Sequence, residues 1–558
     1  MDFTPQHLTL NQLLQGKLFK IPDYQRSYSW KKHQRKDLFG DIKEAHKKDQ
    51  NHFMATIVGL IRGKQEIHTI EFQEVEIVDG QQRITTLIIL LRAIMKKLGA
   101  NKNQKNIHDE IQKLLIKGDE HSLILLQTNH DSSNIYGNYI KSGKVFEGEP
   151  ETAADKNIHD AIKECEAFVK ECEGLGIATT TLLSTINNKM SMLYHPIKEE
   201  AIVYKVFEAL NSRGLAVRWL DKTKSRLLAK IYENEQKDSH GDKIHEMKEI
   251  WKKIYQCLGL DDKHGDEALR FAGTLCNKIE RRSKVLSEQD ASNELIDFAG
   301  KEFKDIFEAA NFLHEVVQKV TKIHRDVRNQ IIYKVAHARF LAVVIMLKGL
   351  DKAQEAKALK KLEAVNLRIF ILSGKDSRTK VGEYIRLGCN ILNEGNINYE
   401  QILERIEKLG EGHELDEILK NKDVWRGWYL DYTDEARYIL YRYEEYLVRK
   451  NGGKINENQW KRIWDDNASN TIEHISPQSH DEHYTHDLPN LTLLTAHTNS
   501  RLNDKPPQEK TVAYREEGIR ITIDIADKIE NTQKWDKDNI DVRAKEIEAF
   551  VRAEWGDE

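Results

Sequence analysis

At 558 residues the chain has room for about three or four domains. Hydrophobic residues make up 39% and charged ones 32%, which excludes a disordered chain and describes a highly charged but foldable soluble protein. The net charge of −4 excludes a global attraction to nucleic acid, so contact with a phosphate backbone has to come from local basic patches.

The five cysteines (Cys165, Cys172, Cys257, Cys276, Cys389) are scattered, odd in number and without metal-ligand spacing, as expected of small core thiols in a reducing cytosol. The longest apolar run, Phe340 to Leu347, is far too short to cross a bilayer, and no stretch reads as a signal peptide, so a cytoplasmic location is expected. Eight prolines against many Lys and Glu predict a mostly helical chain.

Leu8, Leu10, Leu13 and Leu14 predict a helix over residues 1 to about 20. FKIPDYQRSYSW, Phe19 to Trp30, follows. Pro22 excludes a helix interior, and Tyr24, Tyr28 and Trp30 alternate with polar residues ahead of Lys31, Lys32, Arg35 and Lys36. This interleaving suits either a phosphate backbone with stacked bases or an aromatic core edge with a solvated charge run. His52 to Ile61 predicts a buried strand, and Val75, Ile77 and Val78 a second one that ends in an Asp79-Gly80 turn. Ile84, Leu87, Ile88 and Leu91 fall at helical spacing. Asp79, Gly80, Gln81, Gln82 and Arg83 therefore sit where a strand becomes a helix. A helix N-terminus offers free N–H groups, Gly80 permits close backbone approach and Arg83 adds a cationic fork, which outlines an anion or nucleotide site. No GxxxxGK[ST] occurs, so it is not a Walker loop.

IPxYQRxYxW followed by DGQQR resembles the N-terminal domain of GmrSD-type, modification-dependent (type IV) restriction proteins. The resemblance implies a ParB/sulfiredoxin-like α/β core. It implies binding and hydrolysis of GTP or another NTP at Asp79, Gly80, Gln81, Gln82 and Arg83, with Asp79 and Arg83 catalytic. It assigns Tyr24, Gln25 and Arg26 to nucleotide or DNA phosphate.

Residues 100 to 200 are polar and irregular in period, with Asn101 to His108 and Gly148 to Lys156 expected as loops. Within Ala201 to Tyr232, a helical stripe of Val203, Val206, Phe207 and Leu210 is stopped by Asn211-Ser212-Arg213-Gly214. The FExLNxRG pattern there matches the same family, which implies Asn211 and Arg213 near the nucleotide; as residues alone they fit a helix C-cap and a solvated arginine nearly as well. From about 235 to 450, long amphipathic helical patterns alternate with short polar breaks and no chemistry stands out. A charged, Tyr-rich helix from Arg437 to Lys450 ends at Asn451-Gly452-Gly453, the clearest linker.

Asn470 to Lys505 carries the densest chemistry. Glu473 and His474 are adjacent, Pro477 stops any regular element, and Leu491, Leu493 and Leu494 form a short apolar strand between Asn490 and Asn499. A neutral His takes a proton from water near pH 7. A carboxylate with an amide oxygen from a following helix holds one hard divalent cation such as Mg²⁺ or Mn²⁺. EHISPQ, PNL and TNSRLNDK resemble the HNH (ββα-metal) nuclease motif in the variant that ends in Asn. The resemblance implies His474 as general base, Glu473 and Asn499 as metal ligands, and Asn490 as the catalytic-motif residue that orders the ββ loop. Many HNH enzymes have His in place of Asn499, and His497 and Asn503 stand close by. His480, His483 and His486 read as loop residues, and the segments around Tyr514, Trp535 and Arg543 to Trp555 as helices packing on this core.

The expected architecture is multidomain and mostly α. It comprises an N-terminal α/β (ParB/sulfiredoxin-like) domain over residues 1–232, a helical connector over 233–424 and an HNH domain embedded in helices over 425–558. The expected function is a phage-defence DNA endonuclease, or a relative in phosphorothioate-linked defence. It nicks or cuts modified foreign double-stranded DNA with a divalent metal, under control of an NTP. The alternatives are a non-cleaving DNA-binding regulator or toxin-like interaction protein with a vestigial HNH fold, and an RNA-targeting HNH nuclease. No membrane partner is expected, and a homo-oligomer is allowed.

Overall fold

The structure, a computed structural model, describes residues 5–22, 25, 27–67, 69–98, 102–117, 124–128, 134–198, 218–233, 240–276, 283–393 and 397–556. Two compact units separate: Met1–Asn277 with Leu286–Gln318, and Lys278–Val285 with Lys319–Glu558.

The first unit is built on a six-stranded mixed sheet in the order β1-β6-β3-β4-β2-β5. The strands are β1 (Gln6–Thr9), β2 (Lys17–Lys20), β3 (His52–Ile67), β4 (Ile70–Asp79), β5 (Leu126–Gln127) and β6 (Met190–Ile197). β3 is antiparallel to β4 and parallel to β6. Its buried run Ile57-Val58-Gly59-Leu60 is what a strand covered on both faces requires. Its helices include α1 (Leu10–Leu14), α2 (Lys32–Lys48), α3 (Gln81–Lys97), α4 (Lys102–Leu115), α5 (Ile135–Ser142), α6 (Ala153–Gly174) and α7 (Thr179–Asn188), with Trp219–Glu233, His240–Leu258, His264–Cys276 and Glu288–Phe298 further along the chain. α3 is buried around most of its circumference, from Ile84 through Met95, as a helix apolar on all sides must be.

Two expectations are corrected here. The first twenty residues are not one helix but β1, α1 and β2. Thr9 and Gln12 form a capping box that starts α1, and Gly16 at φ +65° lets the chain leave it for β2, which pairs with β4. Leu10, Leu13 and Leu14 are buried as their spacing requires, yet one short helix accommodates all three. The second correction concerns residues 100 to 200. Asn101 to His108 is occupied by α4 from Lys102 onward, and the predicted loop from Gly148 gives way to α6 at Ala153, capped by the Thr152 hydroxyl. The buried face of α6 includes Ala161, Cys165 and Cys172, small residues that dilute an apolar stripe in sequence. β6, inserted between β1 and β3, was not foreseen. The stripe over Val203 to Leu210 lies outside the described residues.

The second unit is mainly helical, as expected for this part of the chain. Helix Ala336–Leu347 is buried almost throughout, and helix Lys352–Asn366 runs into a π-helical turn, Leu367–Leu372. Helix Thr433–Lys450 ends at Asn451 with Gly452 at φ +71°, where the linker was predicted. Beyond it stand β7 (Ile472–His474) and β8 (Leu491–Leu493), an antiparallel pair. Helices Ala496–Leu502, Pro507–Glu517, Arg520–Thr532 and Lys537–Trp555 follow. No described helix is long and apolar enough to cross a membrane.

Candidate functional site

In the first unit, β4 ends at Asp79 and α3 begins at Gln81. Gly80 joins them at φ +90°, a backbone conformation that favours glycine, and a Cβ placed there would lie 2.1 Å from Ile57 Cδ1 and have to displace that methyl. Gln25 Nε2 donates to the Val78 carbonyl at 2.5 Å, just ahead of the junction. Gln82 turns its amide onto the preceding loop. Its Oε1 accepts from the Ser29 N–H (2.7 Å) and the Trp30 N–H (3.3 Å), and its Nε2 donates to the Ser27 carbonyl (3.1 Å). The YQRxYxW and DGQQR motifs are thus one structural object. Arg83 is half-buried, with its guanidinium 5.6 Å from the centre of the Trp30 ring. Burial lowers its pKa, against the raising pull of Asp79 and Asp41. Gln81 and Gln82 line a cavity of about 10 Å³, room for roughly one water and none for a nucleotide. Asp79, Gly80 and Arg83 stand half-exposed at the junction itself. Tyr24, Arg26, Asn211 and Arg213 lie outside the described residues.

In the second unit, β7 and β8 place Glu473 opposite Thr492 and His474 opposite Leu491. The chain bends at Ser476-Pro477 and returns through a polar loop to Asn490. Asn490 is fully buried and closes that loop. Its Oδ1 accepts from the Ser476 N–H (2.9 Å) and Trp535 Nε1 (3.2 Å), and its Nδ2 donates to the carbonyls of Ser476 (3.0 Å) and Thr485 (2.9 Å). Arg543, also buried, donates to the Pro489 carbonyl at 3.1 Å.

Glu473, His474 and Asn499 line one cleft of about 740 Å³, together with Tyr429, Gln478 and Asn503. Asn490 stays behind it, and His497 faces a different groove. Asn499 Nδ2 donates to the carbonyls of Asn470 (2.8 Å) and Ile472 (3.1 Å), an arrangement that leaves its Oδ1 as the metal-type donor.

Sequence reasoning missed the supports of this cleft. Lys510, fully buried, places Nζ 2.7 Å from Glu473 Oε1 and donates to the His474 carbonyl at 2.7 Å. Tyr514, one helical turn on, donates to the same Oε1 at 3.1 Å. Burial raises the Glu473 pKa, and Lys510 and Tyr514 oppose that. The 507–517 helix was foreseen, and its i, i+4 pair Lys510 and Tyr514 shares one face. Burial of the lysine was not foreseeable, because lysine is normally exposed.

His474 is held by His486, read above as a loop residue, and by Gln478, the last residue of the EHISPQ run. His486 Nδ1 lies 3.3 Å from its Nε2, and Gln478 Nε2 lies 3.2 Å from its Nδ1. His486 does lie in the loop, and this contact adds a partner for His474 that the reading as a loop residue did not include. Burial first, then His486 and Lys510, pushes the His474 pKa down to about 3, so the ring is neutral at pH 7.

Two family models match the chain. Residues 10–228 match the GmrSD restriction endonuclease N-terminal domain, and residues 413–549 match the GmrSD restriction endonucleases C-terminal domain. In that order they define a restriction nuclease with both of its family domains, whose substrate is DNA. The chain belongs to the GmrSD restriction endonuclease family. A comparison with curated proteins found no match.

Proposed function

We propose that this protein is a cytoplasmic phage-defence endonuclease that nicks or cuts modified double-stranded DNA through an HNH site in residues 425–558. A ParB-like domain over 1–232 would bind and hydrolyse an NTP such as GTP, and 233–424 would connect the two. One observation carries the reading: Glu473, His474 and Asn499, from a strand and a later helix, line one cleft.

The donor set suits a hard divalent cation. A carboxylate and an amide oxygen, in a cleft wide enough for retained waters, match the preference of Mg²⁺ or Mn²⁺. Glu473 and Asn499 would hold it. When bound, it neutralises charge developing on the phosphate and leaving oxygen. His474, neutral, takes a proton from the attacking water. Burial makes the ring a reluctant acceptor, and a phosphate brought beside it supplies the negative charge that favours the imidazolium. Asn490 keeps the loop in register without touching the cleft.

At the other end, Asp79, Gly80 and Arg83 offer a strand-to-helix anion site, with Gln25, Gln81 and Gln82 shaping the wall beneath it. A second reading, a DNA-binding regulator with a vestigial HNH fold, draws on the Glu473–Lys510 pair, which occupies one carboxylate oxygen of Glu473.

The test is digestion of matched modified and unmodified DNA in Mg²⁺, with and without GTP. Cleavage confined to modified DNA and altered by GTP supports the first reading. Binding without cleavage at any Mg²⁺ or Mn²⁺ concentration supports the second. Loss of phosphate release in Asp79→Ala tests the nucleotide role.

A further inference from the structure

We propose that His486 is a positioning residue for the reaction: it accepts a hydrogen bond from His474 Nε2–H and so holds His474 Nδ1, the nitrogen beside Gln478, as the proton acceptor. This rests on the reading of His474 as general base, and it adds the reacting atom and the group that selects it.

The direction of the chain follows from what each atom can do. The Gln478 Nε2 amide carries only hydrogens, so at 3.2 Å it donates to His474 Nδ1. Nδ1 is therefore the bare nitrogen. A neutral imidazole has one N–H, which then sits on Nε2. Nε2–H points at His486 Nδ1, 3.3 Å away, which must present a lone pair. His486 in turn carries its own hydrogen on Nε2. Reversing the direction would set His474 Nδ1–H against the Gln478 amide hydrogens, so one arrangement survives.

Packing holds the two rings in this relation. Tyr429 meets His474 edge-on with centroids 4.3 Å apart and stacks on His486 at 5.8 Å. The Tyr429 N–H also donates to the His486 carbonyl at 3.1 Å, fixing the backbone that carries the second ring. His486 does not line the cleft, whereas Gln478 does. His486 thus acts through His474, and the Gln478 amide marks the place a water bonded to Nδ1 would take.

In the reaction, the water's proton goes to Nδ1 and its oxygen adds to phosphorus. The bond to the leaving ester oxygen breaks with its electron pair, and that oxygen is protonated from solvent. The imidazolium keeps its Nε2–H bond to His486 throughout, so no proton has to leave the far side of the ring. A carboxylate or carbonyl partner does the same for histidine elsewhere; here the partner is a second imidazole.

The experiment compares His486→Leu and His486→Asn in the full chain. The Asn side-chain oxygen falls near the position of His Nδ1 and keeps the acceptor; Leu removes it. Under saturating Mg²⁺ and DNA, His486→Leu is expected to lower kcat by roughly 10- to 100-fold with KM unchanged, and His486→Asn to restore most of the rate. Both should melt close to wild type. Wild-type rates in His486→Leu overturn the proposal, as does equal impairment of both folded variants. The wild-type protein supplies a readout independent of cleavage. Long-range ¹H–¹⁵N spectra of His474 should show Nε2 protonated and Nδ1 bare, and a protonated Nδ1 overturns the proposal outright. If His474→Ala cleaves like wild type, the general-base reading fails instead, and the tautomer result still decides the role of His486.

Discussion

The ammonium of Lys510 and the carboxylate of Glu473 meet at 2.7 Å inside the wall of the cleft, with the lysine side chain 0% and the glutamate side chain 4% exposed. The lysine also holds the carbonyls of His474 and Ile475, at 2.7 and 3.4 Å. Removing the cation alone strands a buried carboxylate, which costs far more than the pair contributes. Lys510→Met is therefore expected to lose about 3–5 kcal/mol of stability. Adding Glu473→Gln should recover a large part of that loss. Urea unfolding of the four members of this cycle measures it, and strict additivity would contradict the pairing.

Asn490 serves the loop rather than the cleft. Its amide joins Ser476, Thr485 and Trp535. Asn490→Ala leaves buried donors and acceptors unmatched and should cost about 2–4 kcal/mol. Amide exchange at Ser476 should accelerate in that variant, and an unchanged rate would show that the loop has other supports.

Gln82 ties the two N-terminal motifs together through Ser27, Ser29 and Trp30. Gln82→Ala frees both amides, so Ser29 and Trp30 should exchange roughly ten- to a hundredfold faster, the equivalent of about 1–3 kcal/mol of local opening. Exchange in the middle of α3, at Ile88 for example, should not change.

His337 is 3% exposed and sits edge-on to Phe370 and Tyr384. Burial, with Arg339 adding and a backbone hydrogen bond at Thr379 opposing, brings its pKa down to about 4. The folded ring stays neutral while the unfolded one binds a proton below about 6.5. Its stabilising contribution is therefore complete above pH 6.5 and lost as pH falls toward 4. Between pH 7 and pH 5 the wild type should lose roughly 1–2 kcal/mol that His337→Phe does not. Urea unfolding at the two pH values provides the comparison.

How far the sequence alone reached depends on the kind of signal. β3, β4 and the start of α3 were legible because branched apolar runs, an Asp-Gly turn and helical spacing follow one another without overlap. The β7–β8 pair and the helix after it were legible because Pro477 and the two asparagines punctuate a short apolar pattern. The one-turn α1 was overrun by a leucine stripe that also fits a longer helix. α6 hid behind alanines and cysteines on its buried face. The supports of the cleft were out of reach for a different reason. Lys510 lies 36 residues beyond His474, and His486 is the last of three evenly spaced histidines in a polar loop. Neither local spacing points to the cleft; tertiary packing brings both side chains to the motif.

On the proposed reading His474 removes a proton from water at a scissile phosphate. Nicking of modified supercoiled DNA in Mg²⁺ by wild type and by His474→Ala, both confirmed folded, tests it most directly. The variant should nick more slowly by roughly 10²- to 10⁴-fold. Equal nicking by the two proteins would contradict it.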